Sequence, residues 1–142
     1  MFRFLESMAA QYMTPKVKSV TRQCTLGELE TLFVKHDFDA LPVVDDGKLV
    51  GIVTKFDFLR TFAFTTGQLI PSYDDLMKRS VGEAMTPNVE HVGPATPLTR
   101  VLQLMVTQRI RSFPVQDADG KLLGMISRGD VMRALKQATD GK

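Results

Sequence analysis

Leu49-Val50-Gly51-Ile52-Val53-Thr54-Lys55-Phe56-Asp57 reappears 73 residues later as Leu122-Leu123-Gly124-Met125-Ile126-Ser127-Arg128-Gly129-Asp130. Upstream of it, Leu41-Pro42-Val43 recurs as Phe113-Pro114-Val115, and Met13-Thr14-Pro15 as Met85-Thr86-Pro87, both at an offset of 72. The one change of length falls in a turn: Asp45-Asp46-Gly47-Lys48 becomes Asp117-Ala118-Asp119-Gly120-Lys121. Three blocks that hold register over this distance, with the only insertion in a turn, mark an internal duplication.

Each copy spells the same elements. After Met-Thr-Pro a short apolar segment (Val17 and Val20; Val89 and Val92) reads as a strand, since Pro15 and Pro87 disfavour a helix there. A helix follows. In copy one Thr25 and Glu28 form a capping-box pattern before the apolar stripe Leu26, Leu29, Leu32, Phe33. In copy two Thr96 is the expected cap, Pro97 the first helical residue, and Leu98, Val101, Leu102 and Met105 the stripe. Leu41–Val44 and Leu49–Val53, then Phe113–Val115 and Leu122–Ile126, predict hairpins. A last helix starts at Thr54 or Ser127, over Phe56–Phe64 and Gly129–Ala138.

The expected fold class is therefore α/β (α+β), two pseudo-symmetric β-α-β-β-α units. One unit alone buries too little surface to be comfortable, so the two are expected to pack sheet to sheet. In chain order the division is 1–66, with a lead-in helix through about Gln11, and 67–142, with a linker helix. That linker opens on the breaker Thr65-Thr66-Gly67 and on Pro71, and Ser72 with Asp75 caps its helix.

Composition narrows the function. Of 142 residues, 44% are apolar and 24% charged, with a net charge of +2 and no run of like charges. This is the make-up of an ordinary globular protein and argues against a nucleic-acid binder, which shows a basic stripe. No stretch approaches the ~20 apolar residues that span a bilayer, and the opening residues are broken by Arg3 and Glu6, so neither a membrane segment nor a signal peptide is expected. The single cysteine, Cys24, fits a reducing compartment, and a cytoplasmic location is expected. With two histidines, His36 and His91, and no Cys-x-x-Cys, no metal site is expected. No nucleophile–base pair or phosphate loop is present, so no catalytic residue and no enzyme are expected. Asp117-x-Asp119-Gly120 lacks the further ligands of a calcium loop and reads as a hairpin turn.

Two readings compete for Thr54-x-x-Asp57 and Ser127-x-x-Asp130. In one, hydroxyl and carboxylate cap the free N–H groups of a helix start. In the other, the helix start holds an anion: the hydroxyl bonds a phosphate and the carboxylate accepts the two hydroxyls of a ribose. Beside it, Arg111 precedes Phe113-Pro114-Val115 where copy one has Asp39. An arginine there can grip a phosphate bidentately, and an aspartate repels one.

The doubled pattern M-T-P, h-P-V-h-D, G-K-h-h-G-h-h-[ST]-x-x-D resembles the CBS-domain family over about residues 10–138, in the tandem form called a Bateman module. The resemblance implies units packed through their sheets with two clefts between them, and a regulatory sensor of AMP, ADP, ATP or S-adenosylmethionine that needs no cofactor. It implies that Asp57 and Asp130 bind ribose and that Thr54 and Ser127 contact phosphate. By the same carry-over, Asp39, Ala40, Arg111 and Ser112 line the clefts, and backbone near Lys18 and Glu90 meets the base. A regulated protein would be a separate chain. The alternative is a dimerisation or interaction module with empty clefts. The density of Phe56, Phe58, Phe62 and Phe64, with Leu59, on one helix exceeds what one core-facing stripe can bury, and predicts a homodimer with Phe58 or Phe62 near its centre.

Overall fold

The computed structural model describes residues 2–63 and 72–140. Its helices are α1 (Phe2–Glu6), α2 (Ala9–Tyr12), α3 (Leu26–His36), α4 (Lys55–Arg60), α5 (Tyr73–Met77), α6 (Val81–Ala84), α7 (Leu98–Gln108) and α8 (Arg128–Asp140). Its strands are β1 (Thr14–Pro15), β2 (Ala40–Asp45), β3 (Lys48–Thr54), β4 (Thr86–Pro87), β5 (Ser112–Gln116) and β6 (Leu122–Ser127). They form two three-stranded sheets, in the orders β2-β3-β4 and β1-β6-β5.

The contacts divide the chain into two compact units, Lys18–Val89 and Met1–Val17 with Glu90–Lys142. This is not the chain-order division at residue 66. The strand of each copy is Met-Thr-Pro itself, and it pairs with the hairpin of the other copy: Thr14 and Pro15 lie opposite Met125 and Gly124, and Thr86 and Pro87 opposite Ile52 and Gly51. The lead-in follows its strand. Phe4 and Ala9 are buried with copy two's Leu98, Val101, Phe113 and Ile126, whereas Val81 and Ala84 of the linker are buried with copy one's Leu26, Leu29, Leu41 and Val53. The apolar residues expected to form the first strand make single parallel bridges instead, Val20 to Val43 and Val92 to Val115.

Local chemistry explains the elements. The Thr25 hydroxyl accepts from the Glu28 N–H at 3.1 Å, and the Glu28 carboxylate accepts from the Thr25 N–H at 3.4 Å, so the α3 box is formed. Thr25→Ala should cost about 1 kcal/mol, readable as a lower urea midpoint with an unchanged slope. The α7 start departs from expectation: Pro97 is the cap residue, and the Thr96 hydroxyl accepts from the Gly93 N–H at 2.9 Å, closing the preceding loop. The first hairpin turns on Asp46 and Gly47, both at positive φ, the arrangement that matches strand twist. In the second, one Asp117 carboxylate oxygen accepts from the Asp119 and Lys121 N–H groups, as a turn requires. Ser72 caps α5 through the Asp75 N–H at 3.2 Å. Residues Thr65-Thr66-Gly67, Pro71 and Phe64 lie outside the described residues.

The last helices are unequal. α8 runs to Asp140, with Ala134 and Ala138 buried, while α4 ends at Arg60, where Thr61 stands in the place of Ala134 and bonds back to the Phe58 carbonyl at 2.7 Å. Phe58 packs on the core of its unit, and Phe62 lies against Phe58 and Tyr73. The aromatic and aliphatic groups of α4 left most exposed are Phe56 (70%) and Leu59 (63%), whereas Phe58 and Phe62 are half-buried.

Candidate functional site

The site in each unit is built where the hairpin's second strand turns into a helix. Strand register sets Ala40 opposite Thr54, and Ser112 opposite Ser127. Just outside the ladder, the Lys55 N–H donates to the Asp39 carbonyl at 3.0 Å, and the Arg128 N–H to the Arg111 carbonyl at 2.9 Å. The structure thus gathers Asp39, Ala40, Thr54 and Asp57 at one helix start, and Arg111, Ser112, Ser127 and Asp130 at the other. Lys18 stands apart: it lines a separate cavity of about 570 Å³ with Thr21, Cys24 and Glu28, two residues before Val20, whose N–H donates to the Pro42 carbonyl. Glu90 is exposed, two residues before the bridge at Val92.

Asp57 and Asp130 are buried, at 3% and 6% exposure, and both complete the capping arrangement. The Asp57 N–H donates to the Thr54 hydroxyl at 3.0 Å, and the Thr54 N–H to Asp57 Oδ2 at 2.9 Å. In copy two the Asp130 N–H donates to the Ser127 hydroxyl at 3.2 Å, and Asp130 Oδ2 accepts from both the Ser127 N–H (2.8 Å) and its hydroxyl (3.0 Å). An element the sequence reading missed sits one turn on. Arg60 donates to Asp57 Oδ1 and Arg133 to Asp130 Oδ1, so each site is Thr/Ser-x-x-Asp-x-x-Arg, a spacing that was available at the 73-residue offset.

The two carboxylates differ in which oxygen remains open. Asp57 Oδ1 takes both Arg60 and, at 3.4 Å, the Thr86 hydroxyl, which fills its two lone pairs and leaves one position on Oδ2 beside the Thr54 N–H. Asp130 Oδ2 is filled by the Ser127 N–H and hydroxyl, and among the described residues its Oδ1 takes only Arg133, at 3.2 Å; Arg133 is held besides by the Tyr12 carbonyl at 3.0 Å and the Tyr12 ring. Each carboxylate therefore accepts three bonds and keeps one acceptor position, that of Asp130 on the oxygen beside a fixed cation. Charge differs too. Asp39 pairs with Lys55 at 3.8 Å, while Arg111 has no carboxylate partner among the described residues.

Cavities flank these starts. Asp57, Arg60, Arg79, Glu83 and Met85 line one of about 450 Å³. Arg109, Arg111 and Arg128 rim another, of about 440 Å³, floored by Leu102, Met105 and Val131. Asp130 is not among the residues that line this second cavity. Cys24 is half-buried, and burial together with Glu28 pushes its thiol pKa up, the environment of a packing cysteine. His36 stacks on Phe38, and the His91 ring bonds the Gln116 amide. No described helix is long and apolar enough to cross a membrane.

Two α/β units with matching strand-to-helix starts, each holding a buried aspartate bonded to a Thr or Ser, define a tandem repeat module. The chain belongs to the CBS-domain family: the CBS domain model matches residues 9–63 and 81–137. It is 31% identical over 148 residues to the CBS domain-containing protein CBSX2, chloroplastic, of Arabidopsis thaliana, covering 89% of this chain and 62% of that protein. It is 37% identical over 106 residues to CBSX3, mitochondrial, from the same plant, covering 71% of this chain and 48% of that one. This chain thus spans about half to two thirds of these relatives. Among solved structures, CBSX2 in complex with AMP superposes with a TM-score of 0.77 at 30% identity, over 93% of this chain and 98% of that one.

Proposed function

We propose that this chain is a regulatory sensor that binds an adenosine-containing ligand, AMP foremost, and passes its occupancy to a separate protein. The observation that carries the reading is the Ser127–Asp130 helix start, where a buried carboxylate retains an acceptor position next to Arg133. A ribose diol supplies donors to that oxygen, and the neighbouring hydroxyl and helix start suit a phosphate. The AMP complex of CBSX2, a relative at 30% identity, supports the ligand class. Arg111 gives the copy-two site positive charge, so anionic ligands favour it over the copy-one site, where Asp39 stands. The chain binds ligand without transforming it and requires no cofactor.

The competing reading is an interaction module whose sites are vestigial, and the complete capping bonds of Asp57 and Asp130 favour it, since they give both residues a role without ligand. Thermal unfolding with AMP separates the two. At one hundred times its dissociation constant, a ligand of the folded state stabilises it by about 2.7 kcal/mol. A melting shift with AMP that is smaller with adenosine supports the sensor; none with AMP, ADP, ATP or S-adenosylmethionine supports the interaction module. Under either reading the chain forms a homodimer, through the apolar groups that α4 and α8 leave in solvent, Phe56, Leu59 and Met132.

A further inference from the structure

The arginines that pair with the two site aspartates are matched in sequence but held in different ways. Arg60 donates to Asp57 Oδ1, and its Cζ lies 5.7 Å from the centre of the Phe56 ring, so its aromatic support comes from its own helix. Arg133 is held from outside α8. Its Nη1 donates to Asp130 Oδ1 at 3.2 Å, its Nη2 donates to the Tyr12 carbonyl at 3.0 Å, and its Cζ lies 5.8 Å from the centre of the Tyr12 ring. The Tyr12 hydroxyl in turn donates to Gln137 Oε1 at 3.1 Å, one turn further along α8. Tyr12 is the last residue of α2, and it packs on the same core as Phe4 and Ala9. Copy one has no such residue: at the 72-residue offset Tyr12 becomes Ala84.

What this hold decides is the last acceptor position of Asp130. Oδ2 is filled by the Ser127 N–H and hydroxyl, so the open position is on Oδ1, beside the Arg133 bond. A guanidinium is a planar fork that grips a carboxylate through paired N–H groups when nothing else engages them. At Arg133 the Tyr12 carbonyl engages Nη2 and the Tyr12 ring covers one face, which leaves Nη1 to reach Asp130. We propose that Tyr12 is a positioning residue for the copy-two ligand site: acting through Arg133, it keeps the open position on Asp130 Oδ1 free for a ligand hydroxyl. The proposal rests on the adenosine-ligand reading given above and adds the residue that sets the affinity. Such coupling is reciprocal. A ligand hydroxyl on Oδ1 favours the Arg133 arrangement in which Tyr12 is engaged, so binding tightens α2 on α8, and the lead-in reports occupancy.

Calorimetry with AMP, on variants at both ends of the contact, tests the positioning. Tyr12→Leu keeps apolar bulk against the core and removes the ring face and the hydroxyl, and should weaken AMP binding by about fivefold or more. Tyr12→Phe keeps a ring over the guanidinium and should bind within about twofold of the wild type. In an Arg133→Lys background, where a point charge replaces the fork, Tyr12→Leu should weaken binding no further. Amide hydrogen exchange reads the reciprocal half. Saturating AMP should slow exchange at Ala9, Ala10 and Met13, whose N–H groups donate to the Thr96, Pro94 and Ala9 carbonyls, in the wild type and not in Tyr12→Leu. Affinity unchanged by Tyr12→Leu, or weakened as much in the Arg133→Lys background, overturns the positioning and leaves the sensor reading intact. Exchange at those amides that AMP does not slow in the wild type overturns the coupling in the same way. No AMP binding by the wild type overturns the sensor reading and the positioning together.

Discussion

Gly124→Ala should cost this protein a large part of its folding stability. The reason is the close approach of the Met-Thr-Pro strand. A β-carbon at Gly124 would lie 2.4 Å from the Thr14 carbonyl oxygen, and one at Gly51 would lie 2.6 Å from that of Thr86. Neither obstacle is a side chain that can rotate away; both are backbone, so the strand must leave the sheet. Leaving disturbs the buried lead-in as well, because the segment that carries Phe4 and Ala9 into the core of copy two runs directly into that strand. We expect a loss of about 3 kcal/mol or more, out of the 5–15 kcal/mol typical of a folded domain, and a melting temperature lower by about 10 °C. Gly129→Ala is the control. Its β-carbon meets nothing closer than Ser127 Oγ at 3.6 Å, inside the first turn of α8, and should stabilise the protein by about 0.5–1 kcal/mol.

Asp130→Ala should weaken AMP binding by about tenfold to a hundredfold, the worth of hydrogen bonds to a charged acceptor. Asp57→Ala should weaken it by less than about threefold, because Asp39 stands at that helix start and opposes a phosphate, where copy two has Arg111. In stability the two changes should look alike. Each removes one capping carboxylate from a helix start, at a cost of about 0.5–2 kcal/mol. Equal loss of stability with unequal loss of binding is the signature that separates a ligand site from a cap. A pure cap predicts the first without the second.

The duplication, both hairpins, the α3 box and the Thr/Ser–Asp pairs could all be read from residue types and spacing, because each depends on chemistry within a few positions. What escaped the reading depends on distance. Nothing local in Met13-Thr14-Pro15 says that it pairs with Gly124 and not with Gly51 of its own copy; that choice is made by chain reach and by which core takes Phe4 and Ala9. The glycines at the centre of both hairpin strands were the available sign that another backbone lies against them. The end of α4 was hidden for a related reason. Its aromatic run suggested a longer helix, but Thr61 replaces the small, buried Ala134 of copy two and turns its hydroxyl back onto the Phe58 carbonyl. At the candidate site, the carboxylates were found and their arginine partners were not, although Arg60 and Arg133 share the same offset as the aspartates they hold.

The most direct test of the sensor reading is a calorimetric titration of AMP into three proteins side by side: wild type, Asp130→Ala and Asp57→Ala, each first shown to be folded. The account predicts saturable heat for the wild type, a nearly intact isotherm for Asp57→Ala, and little heat for Asp130→Ala. No heat in the wild type, or an isotherm lost with Asp57 and kept without Asp130, would contradict it.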